Sequence, residues 1–194
     1  MQAEGVLIVK KYNVALIGTG FMGKAHALAW RNVQAVAGDA PLTAAMLKEM
    51  GQLRNIFRET LRLYPPVPMM VRENLAEEDF RGRTVNPGGQ IVLSPWHLHR
   101  HERLWDAPDA FDPARFETEN GKACLREAYI PFSTGARVCP GAGFAMAEGP
   151  LILAMILQAF EISTVTERPA VPVAHLTVRA KDGIWLRLTL RKAL

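Results

Sequence analysis

The sequence predicts a mixed α+β fold: helices with a small antiparallel sheet and a hairpin, preceded by a single βα unit. Three observations predict it. Apolar residues recur at helical spacing through residues 42–63, and an apolar helical pattern begins at Ala142. Short β-prone runs flank turn signals at Pro87-Gly88-Gly89 and Lys181-Asp182-Gly183. An apolar run over residues 12–17 enters a glycine-rich turn and then a helical pattern. With 194 residues, 49% of them apolar, the chain can build one cored domain and a small appendage.

Residues 12–17 read as a strand, Gly18-Thr19-Gly20-Phe21-Met22-Gly23 as a tight turn and residues 24–31 as a helix. Backbone N–H groups at such a turn can hold a phosphate, so Gly18, Gly20 and Gly23 are nucleotide-binding candidates. The string from Ile17 to Asn32 resembles the opening of the glucose-fructose oxidoreductase and inositol dehydrogenase family, which starts with a Rossmann-type dinucleotide unit. A complete site also needs a second strand ending in an acidic residue about twenty positions on. Here Gly38-Asp39-Ala40-Pro41 is a turn, so Asp39 ends no strand. The unit is expected to act as scaffold, and NAD is not expected as a cofactor.

Residues 42–63 read as one long helix, with Leu42, Met46, Met50, Leu53, Ile56, Phe57 and Leu61 along one side. Tyr64-Pro65-Pro66-Val67-Pro68 stops it, because proline cannot continue a helix. A strand follows over residues 69–73. Residues 83–94 read as two strands around the Pro-Gly-Gly turn. Residues 95–132 read as irregular, rich in His, Asp and Pro. A helix over residues 142–160 and a hairpin of residues 174–180 with 184–190 complete the chain.

The net charge of +4 is modest, and no Lys/Arg run is interleaved with aromatics, so nucleic acid is not expected as a partner. A basic face docking an acidic protein is compatible with this charge. The two cysteines, Cys124 and Cys139, are expected to be reduced. The N-terminus carries neither a secretory signal nor a span, and the longest apolar run, residues 151–160, is shorter than a bilayer crossing. A soluble cytoplasmic protein is the expectation.

The densest chemistry lies in Phe132-Ser133-Thr134-Gly135-Ala136-Arg137-Val138-Cys139-Pro140-Gly141. A cysteine at a helix N-terminus sits in a positive local field, which favours thiolate over thiol. A thiolate with a cation beside it can ligate heme iron through sulfur. The loop resembles the heme-binding loop of the cytochromes P-450, Phe-x-x-Gly-x-Arg-x-Cys-x-Gly, with every fixed position filled. From about Leu42 onward, the order of motifs matches the C-terminal part of that family.

The resemblance implies roles for particular residues. Cys139 would be the axial ligand of heme b (iron-protoporphyrin IX). Phe132 would shield the sulfur, Gly141 and the following helical turn would offer N–H groups, and Arg137 would pair with a heme propionate. Arg72 falls where the family often places a second propionate-binding arginine. Glu59 and Arg62 match its Glu-x-x-Arg helix, where i and i+3 share a face. Arg115, in Phe111-Asp112-Pro113-Ala114-Arg115-Phe116, would complete a buried three-charge cluster with a structural role. His97, His99 and His101 alternate in a way that could suggest a metal, but no Cys or carboxylate partner accompanies them. His99-Arg100 matches a structural pair of the family.

A complete cytochrome P-450 is much longer, and its central helix with the acid–alcohol pair is missing here. The expected architecture is thus a truncated cytochrome P-450-like proximal half (residues 42–194) behind a Rossmann-like βα fragment (residues 1–41). The expected function is that of a heme-thiolate protein of monooxygenase ancestry, with peroxide-driven oxidation the reaction a shortened form can best support. An open heme face would favour a homodimer. Two alternatives stay open: an NAD(P)-dependent dehydrogenase fragment, and a self-associating fusion remnant without an evolved activity.

Overall fold

The computed structural model describes residues 22–38, 40–43 and 45–191. The expected strand over residues 12–17, with Gly18, Gly20 and Asp39, lies outside these residues, and Gly23 stands in the first turn of helix α1 (Met22–Val36). That helix is longer than the expected 24–31. Its Ala29 and Val33 are fully buried, in one core with Met50, Leu53 and Ile56 of the next segment and Leu153, Ala154 and Leu157 near the C-terminus. Each large apolar side chain so buried contributes about 1.5–3 kcal/mol.

Residues 42–63 do not form one helix. A 3₁₀ turn (Met46–Lys48) precedes α2 (Gly51–Leu63), and Met50 between them has φ −86° and ψ 59°, off the helical path. Leu47 and Met50 are nonetheless buried in the main core. A folded corner can bury residues spaced by four as well as a helical turn can, so the periodicity alone overran the helix start.

Strand β1 (Met70–Glu73) will pair with a later strand, while β2 (Glu78–Asp79) pairs antiparallel with β3 (Thr84–Val85). The partner of β1 is β4 (Gln90–Leu93), in register Met70↔Leu93. The Pro-Gly-Gly turn therefore does not close a hairpin of its two flanking strands. It docks on Asn74: Gly88 N–H donates to the Asn74 carbonyl at 2.8 Å, and Asn74 N–H donates to the Gly89 carbonyl at 2.8 Å. The buried Asn74 amide also donates to the carbonyls of Val85 and Ala76. Gly88 has φ +82°, a conformation that favours glycine.

The stretch expected to be irregular carries three capped elements. Short helix α3 (Pro95–Leu98) starts at Ser94, whose hydroxyl accepts the His97 N–H. A 3₁₀ segment (Pro113–Glu117) starts at Asp112, whose carboxylate accepts the Ala114 N–H at 3.0 Å. Helix α4 (Glu119–Glu127) starts at Thr118, whose hydroxyl accepts the Gly121 N–H at 3.0 Å. These caps satisfy donors that a helix start leaves open. Gly121 is needed for close approach, since a Cβ there would lie 1.8 Å from the Arg115 carbonyl oxygen.

Helix α5 (Ala142–Ala159) falls where it was expected. By length and composition alone the whole helix, longer than the apolar run 151–160, could cross a membrane. Its buried Leu153, Ala154 and Leu157 join the core shared with α1 and α2. Strand β5 (Phe160–Thr164) follows directly. Further on come β6 (Pro172–Ala174), β7 (Val178–Ala180) and β8 (Leu186–Leu190). The turn at 181–183 exists, with Gly183 at φ +86°, but its arms part: β7 pairs with β6, and β8 pairs with β5. Burial explains the choice. Pairing with β5 puts Leu186 and Leu188 against the core beside buried Ile162, whereas the β6–β7 tip leaves Leu176 89% exposed. The expected small sheet is thus four two-stranded ladders among the described residues.

Candidate functional site

The charge cluster forms as the resemblance implied. Glu59 and Arg62 are fully buried and Arg115 nearly so. Arg62 Nε lies 2.7 Å from Glu59 Oε2, and Arg115 Nε lies 3.0 Å from Glu59 Oε1. Asp112 N–H also donates to Oε1 at 2.9 Å. The guanidiniums donate outward to backbone carbonyls: Arg62 to His99, Pro108 and Ala110, and Arg115 to Asp106, Ala107 and Ala110. Each buried charge therefore meets opposite charge and carbonyl dipoles, as burial requires. The cluster ties α2 to the segment before α4.

His99 completes this lock. Its Nε2 accepts the Ile130 N–H at 2.9 Å, so Nδ1–H is the group that donates to the Arg62 carbonyl at 3.1 Å. Burial pulls its pKa from the ordinary 6.5 down to about 4, and the Arg62 and Arg100 charges add to the fall. The ring stacks on Tyr129, with centroids 5.4 Å apart. Arg100 lies over the Trp96 ring at 3.9 Å and donates to the Leu63 carbonyl. His97 instead bonds the Ser94 hydroxyl at 2.8 Å, and the Nδ1 of exposed His101 accepts the Arg103 N–H. The three histidines do not converge, and no metal-holding group of His, Cys, Asp and Glu occurs among the described residues.

The Cys139 loop is built differently. Phe132 accepts the Cys139 N–H through its carbonyl at 2.8 Å, closing the loop, and Val138 N–H donates to the Gly135 carbonyl at 3.1 Å. Ser133 and Gly135 both have φ +65°. A 3₁₀ turn (Gly135–Arg137) places Arg137 in solvent. Gly141 is the N-cap of α5, so Cys139 sits three residues before the first residue of an 18-residue helix. Both cysteines are free, yet they differ. Cys124 is buried, its thiol donates to the Leu104 carbonyl at 2.9 Å, and burial pushes its pKa up; Cys139 is exposed. Arg72, on β1, reaches the same loop and donates to the Ser133 hydroxyl at 2.9 Å. Phe132 is half-buried beside it.

A cytochrome P450 family model matches residues 29–185. The chain belongs to the cytochrome P450 family. It is 38% identical over 158 residues to cytochrome P450 4A10 of Mus musculus, covering 80% of this chain and 31% of the relative. Against cytochrome P450 4V2 of Homo sapiens it is 37% identical over 156 residues, covering 80% and 30%. The crystal structure of the cytochrome P450DA heme domain superposes with a TM-score of 0.80 at 32% identity, over 87% of this chain and 38% of that one. The chain thus spans about a third of the length of the curated relatives it matches. The family match begins inside α1, ahead of the boundary expected at residue 42, and α1 packs in the same core as α2 and α5.

Heme is the cofactor of this P450 family, and the residues present fit it. An exposed thiol is a soft donor suited to iron. A Cβ built on Gly141 would meet only the Cys139 sulfur, at 3.7 Å, so glycine leaves that side of the sulfur bare. Val138 and Phe144, one and five residues from the thiol, are 53% and 69% exposed, apolar side chains open to a ligand. Two cations stand at the same loop: Arg137, which is exposed, and Arg72, which bonds Ser133. Sequence reasoning missed Ser133 and Phe144. The local signal for Phe144 was a large apolar residue in the first turn of the helix behind the thiol. Ser133 had no local signal, because its partner lies 61 residues away.

Proposed function

We propose that this protein binds heme b through the Cys139 thiolate and acts as a heme-thiolate oxidoreductase. The observation that carries the reading is the exposed Cys139 thiol, at the head of α5 in a loop closed by its own N–H to Phe132. When bound, the group supplies redox-active iron for oxidation by oxygen or peroxide. The chain's residues do the rest. Pro140 has no N–H, so the backbone donors that follow the sulfur are those of Gly141 and the first turn of α5. Phe132 would cover one flank of the sulfur, and Arg137 and Arg72 would pair with the heme carboxylates.

Electrons for a monooxygenase reaction would come from an acidic redox protein docking on a basic surface, consistent with the net charge of +4. The exposure of Cys139 and Phe144 favours a second reaction, peroxide-driven oxidation, which needs an accessible iron and no partner. Farther along α5, exposed Ile152 and Met155 support self-association into a dimer. The deciding test is the absorption spectrum of heme-loaded protein, reduced and exposed to carbon monoxide. A red-shifted thiolate-type band that disappears in Cys139→Ala supports the reading; a folded, heme-supplemented protein without that band refutes it.

A further inference from the structure

We propose that Ser133 is a positioning residue for the heme carboxylates, holding the Arg72 guanidinium against the thiolate loop; this rests on the heme reading above. Arg72 stands on β1, opposite Ile91 of β4, and its backbone is set by that ladder. Its side chain donates from one terminal nitrogen to the Val71 carbonyl at 3.0 Å and from the other to the Ser133 hydroxyl at 2.9 Å. Among the described residues these bonds use only part of the guanidinium's donor set, so donors remain for a carboxylate. Ser133 follows Phe132, whose carbonyl closes the loop on Cys139. A single side-chain hydrogen bond therefore links the cation of the small sheet to the loop that carries the sulfur.

The backbone at Ser133 sharpens the argument. Its φ of +65° is a conformation that glycine or asparagine adopts more readily than serine. If this position served only to turn the chain, glycine would serve better. Serine gives up that freedom and supplies a hydroxyl that meets Arg72.

Three variants separate turn from tether. Ser133→Gly suits the backbone but removes the acceptor. Ser133→Ala removes it as well. Ser133→Asn tolerates the positive φ and keeps an acceptor. Heme titration of each purified protein, followed by the Soret band, should show Gly and Ala binding about tenfold more weakly than native, the size of a lost hydrogen bond to a charged group. Asn should recover most of the affinity. In an Arg72→Ala background, Ser133→Gly should have no further effect, because the tether is already gone. Urea midpoints of the heme-free proteins report folding separately, and Ser133→Gly should match or exceed native. Native-like heme affinity in Ser133→Gly, or an undiminished loss in the Arg72→Ala background, overturns this inference alone. Absence of the thiolate band from the native protein overturns the heme reading and this inference with it.

Discussion

The Glu59 cluster and the Cys139 loop are two charged regions of one small protein, built on opposite plans. In the first, a carboxylate lies between two guanidiniums, and carbonyls take up the outward N–H groups. In the second, an exposed thiol and an exposed arginine face outward, next to apolar side chains also left in solvent. Charge that is buried must be satisfied from within, and a region so satisfied has nothing left to offer a ligand. Charge that is left open can be satisfied from outside. The first region is therefore a structural lock, whereas the second keeps its polar groups open, as the proposed heme site requires.

The comparison can be broken or sharpened by substitution. The largest effect is expected from Glu59→Ala, which leaves two buried guanidiniums facing each other; urea denaturation should show a loss of about 3–5 kcal/mol. If the loss is under about 1 kcal/mol, the cluster is no lock. Next is the pH response of His99. The folded state holds this imidazole neutral down to about pH 4, whereas the unfolded chain protonates it at 6.5. Its contribution is whole above pH 6.5 and drains as pH falls from 6.5 toward 4, by about 3 kcal/mol. Thermal melts of native protein and His99→Gln across that window should converge at the acid end. A constant difference between them would count against the assignment.

A smaller effect is expected at Gly149, where an added Cβ would lie 2.2 Å from the Phe57 ring. Gly149→Ala should cost about 1–3 kcal/mol by overpacking α5 against α2. Part of that should return in the double variant with Phe57→Leu, and calorimetry would measure both. The smallest stability effect belongs to the open region. Cys139→Ser should shift the heme-free midpoint by no more than about 0.5 kcal/mol, while removing the red-shifted carbon monoxide band. A large destabilisation would make Cys139 a packing residue and erase the contrast.

Much of the site was readable one segment at a time. Glu59 and Arg62 share a helix face by their spacing, and the Cys139 loop is a short pattern whose geometry is local. The caps at Ser94, Asp112 and Thr118 were also legible, yet the irregular texture of residues 95–132 hid the elements they start. The turn signals at residues 87–89 and 181–183 marked real turns but misled about strand pairing. A turn residue reports its own φ and ψ, not which partner buries the following strand. β8 left β7 for β5 because Ile162, Leu186 and Leu188 could then share the core.

By itself, the sequence determined the thiol loop, the helix behind it and the pairing of Glu59 with Arg62, since each is settled within a few residues by helix geometry or fixed spacing. Only the tertiary structure decided that Met50 turns a corner, that α1 joins the core of α2 and α5, that β1 pairs with β4, and that Arg72 reaches Ser133. Those outcomes depend on which distant apolar faces can be buried together and which distant donor then meets an acceptor. No local pattern encodes that choice, because the free energy that makes it comes from surfaces far apart in the chain.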